Sequence, residues 1–355
     1  MEQIPEKHGS DLLSMVSAHR RSIMGVAAVL IYIFHKHSQI FPGGFLATLE
    51  LCGKKILFLG VDIFMLISGL GLTYAIRKHK LFPFWLRRLK RIVLPFLLTG
   101  AVVAVIEHWD AATLIGNLSG YNFYAKNIYS FLWFFPAIAT LYLLFPLYHK
   151  VLRLSKSLIV FTGIVICVWL IISLLFADLT KAIGRLDIYG FTNRIPVFLI
   201  GVLLGEIGRT RKIKATVLGW ILLVLLAVLG LYLEYLTTFK WMSLLVPSAN
   251  CGFPALLLAV SLVFLLAGIF DLLNRVRVGR WIRKIFELLG IISLELYAAQ
   301  RITEIKWAAD LPWGSIIILR NLTLFLITLL IAIALYWVNR GFWALVELPF
   351  KKKTA

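Results

Sequence analysis

GVAAVLIYIFHKH (Gly25–His37) and GVDIFMLISGLGL (Gly60–Leu72) decide the fold: both are apolar runs of membrane-span character, and each encloses an ionisable residue, His35 and Asp62. An ionisable side chain in hydrocarbon costs about 2.5 kcal/mol or more, so such residues are expected to face a bundle interior or wet cavity and to carry function. Around these runs the 355-residue chain is 61% hydrophobic and 15% charged, with a mean hydropathy of +0.90. No water-soluble domain of this size needs that composition. Spans of about 20 apolar residues cross a hydrocarbon core of about 30 Å, and about ten are legible. Their limits are 22–41, 56–76, 92–108, 130–148, 157–176, 194–208, 215–236, 248–270, 288–306 and 315–339. The expected fold is an all-α integral membrane protein, about ten transmembrane helices in one bundle. A cytosolic segment (1–21) precedes the transmembrane domain (22–340), and a basic cytosolic tail (341–355) follows it.

The net charge of +20 does not point to nucleic acid, because the basic residues punctuate the spans instead of forming one patch. Most of the 37 Lys and Arg fall in the tails and alternate loops of one side, including RKHKLFPFWLRRLKR (Arg77–Arg91), RTRKIK (Arg209–Lys214) and NRVRVGRWIRK (Asn274–Lys284). That asymmetry places both termini in the cytosol and the protein in the cytoplasmic membrane. Residues 1–20 are polar and no small-residue cleavage site follows the first apolar run, so span one is expected to be a retained anchor. Cys52, Cys167 and Cys251 lack CxxC spacing, and no metal is expected.

At a rise of 1.5 Å per residue, His35 lies about 20 Å across the first span and Asp62 about 9 Å below the outer edge of the second. The same arithmetic puts Gln300, Arg301, Arg320 and Arg194 in the outer half, with Glu295 lower. Such a level of His, Asp, Arg and Gln reads as a cavity open outward above basic inner loops. That layout suits a substrate outside and an anionic partner inside.

Several strings carry a resemblance: IMGVAAVLIYIFH (Ile23–His35), GVDIFMLISGLGLTYAI (Gly60–Ile76), FWLRRLKRIVLPFLL (Phe84–Leu98), LWFFPAIATLYLLFPL (Leu132–Leu147), RIPVFLIGVLLG (Arg194–Gly205) and ISLELYAAQ (Ile292–Gln300). In this order the chain resembles the family 3 membrane acyltransferases, bacterial multi-span proteins that O-acylate cell-surface polysaccharides and related glycans. The resemblance implies a cytosolic acyl-CoA donor, most often acetyl-CoA, and an acceptor hydroxyl on a glycan across or at the membrane. It also implies a catalytic span-one histidine, here His35. It admits a homo-oligomer or association with glycan-assembly machinery. Two positions depart from the family pattern. Met24 stands where the family often has Arg, with Arg21 nearly on the same helical face, and Gln300 stands where the family often has His.

Acyl transfer from a thioester to a hydroxyl needs a base, a polarised carbonyl and a grip on the coenzyme. An ordinary imidazole, with a pKa of about 6.5, is largely neutral at pH 7 and can accept the acceptor's proton, so His35 is read as the base. Asp62 is read as orienting it; the structural alternative for Asp62 is a packing ion pair with Arg194 or Arg320. Arg21, Arg87, Arg88 and Arg91 are read as donor-phosphate ligands, against the plainer reading of inner-leaflet anchors. Ser68, Trp133, Arg194, Glu295, Tyr297, Gln300, Arg301 and Arg320 are assigned to the cavity or acceptor. Ser68 has no G-x-S-x-G elbow, and Gly69 and Gly71 beside it suit close helix packing. The competing function is a transporter or flippase for a glycan or small polar solute, which also uses buried charges near the midplane.

Overall fold

The computed structural model describes residues 11–35, 41, 43–78, 80–125, 132–183, 190–239, 253–306 and 317–351. The helices are α1 (Leu12–Phe34), α2 (Gly44–Ile56), α3 (Leu59–Lys78), α4 (Leu81–Ile106), α5 (Ala111–Leu118), α6 (Tyr121–Tyr124), α7 (Phe134–Leu154), α8 (Leu158–Ile183), α9 (Ile195–Thr210), α10 (Val217–Phe239), α11 (Phe253–Leu273), α12 (Arg277–Ile291), α13 (Ser293–Lys306) and α14 (Ile317–Lys351). Nine helical segments among the described residues are long and apolar enough to cross a membrane. Nine of the ten spans read from the sequence fall on them. The tenth, 288–306, falls on a break at Ile292 that separates α12 from the short α13. The residues before the break, RVGRWIRKIFELLGI, form a helix in which Arg277, Arg280, Arg283 and Lys284 lie among exposed Val278, Trp281, Ile285 and Leu288. Such an amphipathic helix suits a membrane surface better than its core.

Two further boundaries differ from expectation. Helix α1 begins at Leu12, not near residue 22, because Leu12, Leu13, Met15 and Val16 are buried apolar residues. Asp11 caps it: its carboxylate accepts hydrogen bonds from Ser14 N at 2.9 Å and Ile213 N at 2.7 Å, tying the helix start to the loop after α9. Burial opposes ionisation of Asp11, but those hydrogen bonds and nearby Lys212 outweigh it and hold the carboxyl below its ordinary value. With the folded value depressed, the carboxylate's contribution to stability is complete above the ordinary range near 4. It is lost as pH falls through the lowered value. At the other end, the segment read as a tail from 341 continues α14 without a break to Lys351. There Trp343 Nε1 donates to the Lys90 carbonyl at 2.9 Å, and Lys90 Nζ meets Glu347 Oε1 at 2.7 Å.

The chain forms two compact units: residues 1–34, 53–80 and 144–291, and residues 35–52, 81–143 and 292–355. In the first, glycines set the helix spacing. A Cβ on Gly201 would stand 2.1 Å from the Leu66 carbonyl oxygen, one on Gly69 2.3 Å from that of Phe198, and one on Gly205 2.1 Å from Thr73 Oγ1. G201-V-L-L-G205 is therefore a GxxxG face along which α3 and α9 touch backbone to backbone. Gly25 and Gly290 do the same for α1 and α12. Gly71, grouped with Gly69 in the sequence reading, meets only Arg20 Nη1 at 3.5 Å. In the second unit α13 packs against α4 and α14, its Thr303 sharing a 2.9 Å hydrogen bond with Thr328.

Replacing Gly201 by Ala is expected to destabilise the protein by about 1–3 kcal/mol through overpacking against backbone. Gly163→Ala, with nothing near its would-be Cβ, serves as the control and is expected to be neutral or slightly stabilising. Thermal unfolding of both variants in one detergent checks this.

Candidate active site

In the second unit, α13 presents Glu295, Tyr297, Gln300 and Arg301 within two turns. Gln300 is 3% exposed, and its Nε2 lies 3.2 Å from Nδ1 of His35, the residue that follows the last turn of α1. As drawn, the amide donates to Nδ1, so the neutral ring carries its proton on Nε2. Turning the amide by 180°, which exchanges two nearly equivalent groups, presents the oxygen, moves the ring proton to Nδ1 and leaves Nε2 unprotonated. The orientation of this amide therefore decides the tautomer.

The neighbours of Gln300 on α13 are held as firmly. Tyr297 rests between Phe134 and Phe135, ring centroids 5.7 and 5.9 Å away. Trp133 stacks on Phe123 at 6.5 Å and meets Phe134 edge-on at 6.2 Å, so both aromatic residues read as cavity lining are packed into an aromatic wall. Arg301 Nη2 donates to Glu107 Oε1 at 3.2 Å, while Glu107 Oε2 accepts from Trp109 Nε1 at 2.7 Å. Glu107 went unnoticed in the sequence because it follows the apolar run of α4. Glu295 is 2% exposed and feels the charge of Arg91. Buried Arg320 Nε has no hydrogen-bond partner among the described residues.

The basic string on α4 is sorted by its contacts. Lys90 is engaged by Glu347 and lies over the Trp343 ring at 5.0 Å. Arg88 lies over the Phe84 ring at 5.9 Å, and Arg87 and Arg91 are exposed. Among the described residues Lys90 is thus the member of this string that an acid engages directly.

The first unit holds the other sequence-identified residues. Asp62 is fully buried, and Arg194 Nε lies 3.5 Å from its Oδ2. The Arg194 guanidinium also covers the Phe58 ring at 5.5 Å and donates to the Gly190 carbonyl oxygen. This is the ion pair that the sequence offered as the structural alternative for Asp62. Ser68 is half-buried on α3 without a hydrogen-bonding base among the described residues. Arg21 Nη1 reaches Glu287 Oε1 at 3.7 Å. No group of His, Cys, Asp and Glu suited to a metal occurs among the described residues.

A buried pair broken on one side leaves an uncompensated charge, at a cost of about 3–5 kcal/mol. Arg194→Met is accordingly expected to unfold or strongly destabilise the protein. Adding Asp62→Asn should restore most of that loss, and a double-mutant cycle on the unfolding midpoint measures it.

Comparison with known proteins bears on these residues directly. The family described as "Acyltransferase domain", acyltransferase family 3, matches residues 24–338 and so includes His35, Asp62, the α4 string, Arg194 and all of α13. The chain is also similar to the "O-acetyltransferase OatA" proteins of Staphylococcus aureus strains NCTC 8325, COL and MRSA252, each 26% identical over 216 residues. That alignment covers 51% of this chain and 33% of each relative, so the chain spans about a third of the curated relatives it matches. No solved structure matches significantly. With its apolar helices and a match running from the fourth turn of α1 into α14, the chain is a multi-pass membrane protein that belongs to acyltransferase family 3.

Proposed function

We propose that the protein is an integral-membrane O-acyltransferase that moves a short acyl group, acetyl in the first instance, from cytosolic acyl-CoA to a hydroxyl of an envelope or exported glycan. The observation that carries this reading is the Gln300–His35 contact inside the region matched by the family. With the Gln300 oxygen on Nδ1–H, His35 Nε2 accepts the proton of the acceptor hydroxyl as its oxygen attacks the thioester carbonyl carbon. The tetrahedral intermediate then collapses, the C–S bond breaks, and the thiolate takes the proton back from the imidazolium. One ester and one free thiol result, and His35 returns to its starting state.

Other residues take supporting parts. Arg87, Arg88 and Arg91 supply forks for the coenzyme phosphates. Arg301 and Arg320 serve the acceptor side, and Asp62 with Arg194 forms an ion pair within the first unit. Acetyl is favoured because the printed name of the relatives is an O-acetyltransferase. The positive-inside distribution supports a cytosolic donor side.

The test compares base-labile, ester-linked acyl groups on the envelope glycans of a deletion strain carrying nothing, the wild-type gene or His35→Ala at equal membrane abundance. Only the wild type is expected to restore the esters, with the His35→Ala rate reduced by about 10²-fold or more. Deletion without effect on the esters would favour the transporter reading. Full restoration by His35→Ala would remove His35 as the base. Gln300→Leu is expected to lower kcat by about tenfold or more while leaving KM for the donor unchanged, since it alters the ring's tautomer and not the coenzyme grip. Gln300→Glu, which can still accept from Nδ1–H, is expected to retain more activity than the Leu variant.

A further inference from the structure

At the ends of α3 and α9, away from the Asp62–Arg194 pair, the first unit contains a second buried charge cluster. Glu206, 3% exposed, is its centre. Its Oε1 lies 2.8 Å from Nε2 of His149 on α7; its Oε2 lies 3.4 Å from Arg77 Nη2 and 3.8 Å from Arg209 Nη1. His149 is buried and its ring lies tilted against that of Phe145, centroids 5.3 Å apart, whereas the Arg77 and Arg209 side chains are 31% and 24% exposed. One carboxylate oxygen thus lies within ion-pair distance of two guanidiniums from different helices, and each guanidinium carries five N–H donors, more than that contact uses.

Ordinary inner-leaflet anchoring does not call for this construction. An anchoring Arg extends its charge freely to the interface. Here two are pinned by an acid whose burial costs desolvation energy, and that acid is itself braced by a buried imidazole. Basic side chains at helix C-termini do complement the helix dipole, but that effect requires neither Glu206 nor His149. Lys78, Arg211, Lys212 and Lys214 adjoin the cluster in sequence, so the local charge stays strongly positive after Glu206 is counted. Two fixed, partly exposed guanidinium forks in a positive field match the geometry of a phosphate group, which each fork can bind in bidentate fashion.

We propose that Arg77 and Arg209, braced by Glu206 and His149, form a binding site for a phosphate ester. The ligand comes from one of two sources sharing that chemistry, a phosphate of a soluble nucleotide-like molecule such as the donor coenzyme, or the headgroup phosphate of an anionic lipid. The site does not depend on acyl transfer.

The test uses the full chain in neutral phosphatidylcholine nanodiscs. Adenosine 3′,5′-bisphosphate is titrated calorimetrically, and retention of phosphatidylglycerol from mixed vesicles is measured in parallel. The variants are Arg77→Gln/Arg209→Gln and Arg77→Lys/Arg209→Lys, the second preserving charge and the Glu206 contact while removing the forks. Wild type is expected to bind one probe, and the Lys pair to bind it about tenfold more weakly at an unchanged melting temperature. Loss confined to the bisphosphate identifies the soluble source, and loss confined to phosphatidylglycerol identifies the lipid. If the folded Lys and Gln pairs bind both probes as wild type does, the cluster is only a brace between helices and the proposal is overturned. Since no arm measures acyl transfer, the site and the enzymatic reading can fail separately.

Discussion

The contact on which the first unit depends is the glycine seam between α3 and α9. In lipid there is no hydrophobic drive to press two apolar helices together, so association rests on close packing and on polar contacts. Gly69, Gly201 and Gly205 remove the side chains that would hold the backbones apart. The contacts run in register along the seam, Asp62 with Arg194, Leu66 with Gly201, Gly69 with Phe198, Thr73 with Gly205 and Arg77 with Glu206, so the two helices are parallel. Ion pairs bracket the glycines at both ends. Each carboxylate and guanidinium is within reach only because the backbones between them touch, and the pairs in turn fix the register that a uniformly apolar seam would leave free to slide.

The second unit is organised by a short helix instead of a tight seam. The break at Ile292 divides what reads as one hydrophobic stretch into a basic amphipathic α12 and a fourteen-residue α13 with four functional candidates. A helix of that length does not span a bilayer by itself. Its polar side chains are positioned by neighbours: Phe134 and Phe135 flank Tyr297, Glu107 receives Arg301, and Gln300 meets His35. The extension of α14 beyond the apolar run adds Trp343 and Glu347, which engage Lys90 and leave the arginines of the same string to other partners.

The two ion-pair clusters of the seam have different chemical character. Asp62 and Arg194 are enclosed, and breaking such a buried pair on one side is costly. Glu206 is as deeply buried, but its arginines reach solvent and outnumber it.

By itself the sequence determined the class of the protein and nearly all of its spans, because a run of apolar side chains of bilayer length has few other uses. It also identified His35, Asp62 and Gln300, since a polar residue inside such a run is conspicuous, and the ordered strings carried the family. It read 288–306 as one span, whereas the structure turns at Ile292 and places 288–291 at the end of α12. Pairing was decided in three dimensions: Asp62 with Arg194, Gln300 with His35, and Glu206 with His149, Arg77 and Arg209. Glu206 offered only a faint signal, an acid directly after GxxxG, and His149 and Arg77 resembled ordinary span-end residues. Their partners lie 129 and 57 positions away along the chain, and helix packing, not local propensity, determines which distant side chains meet.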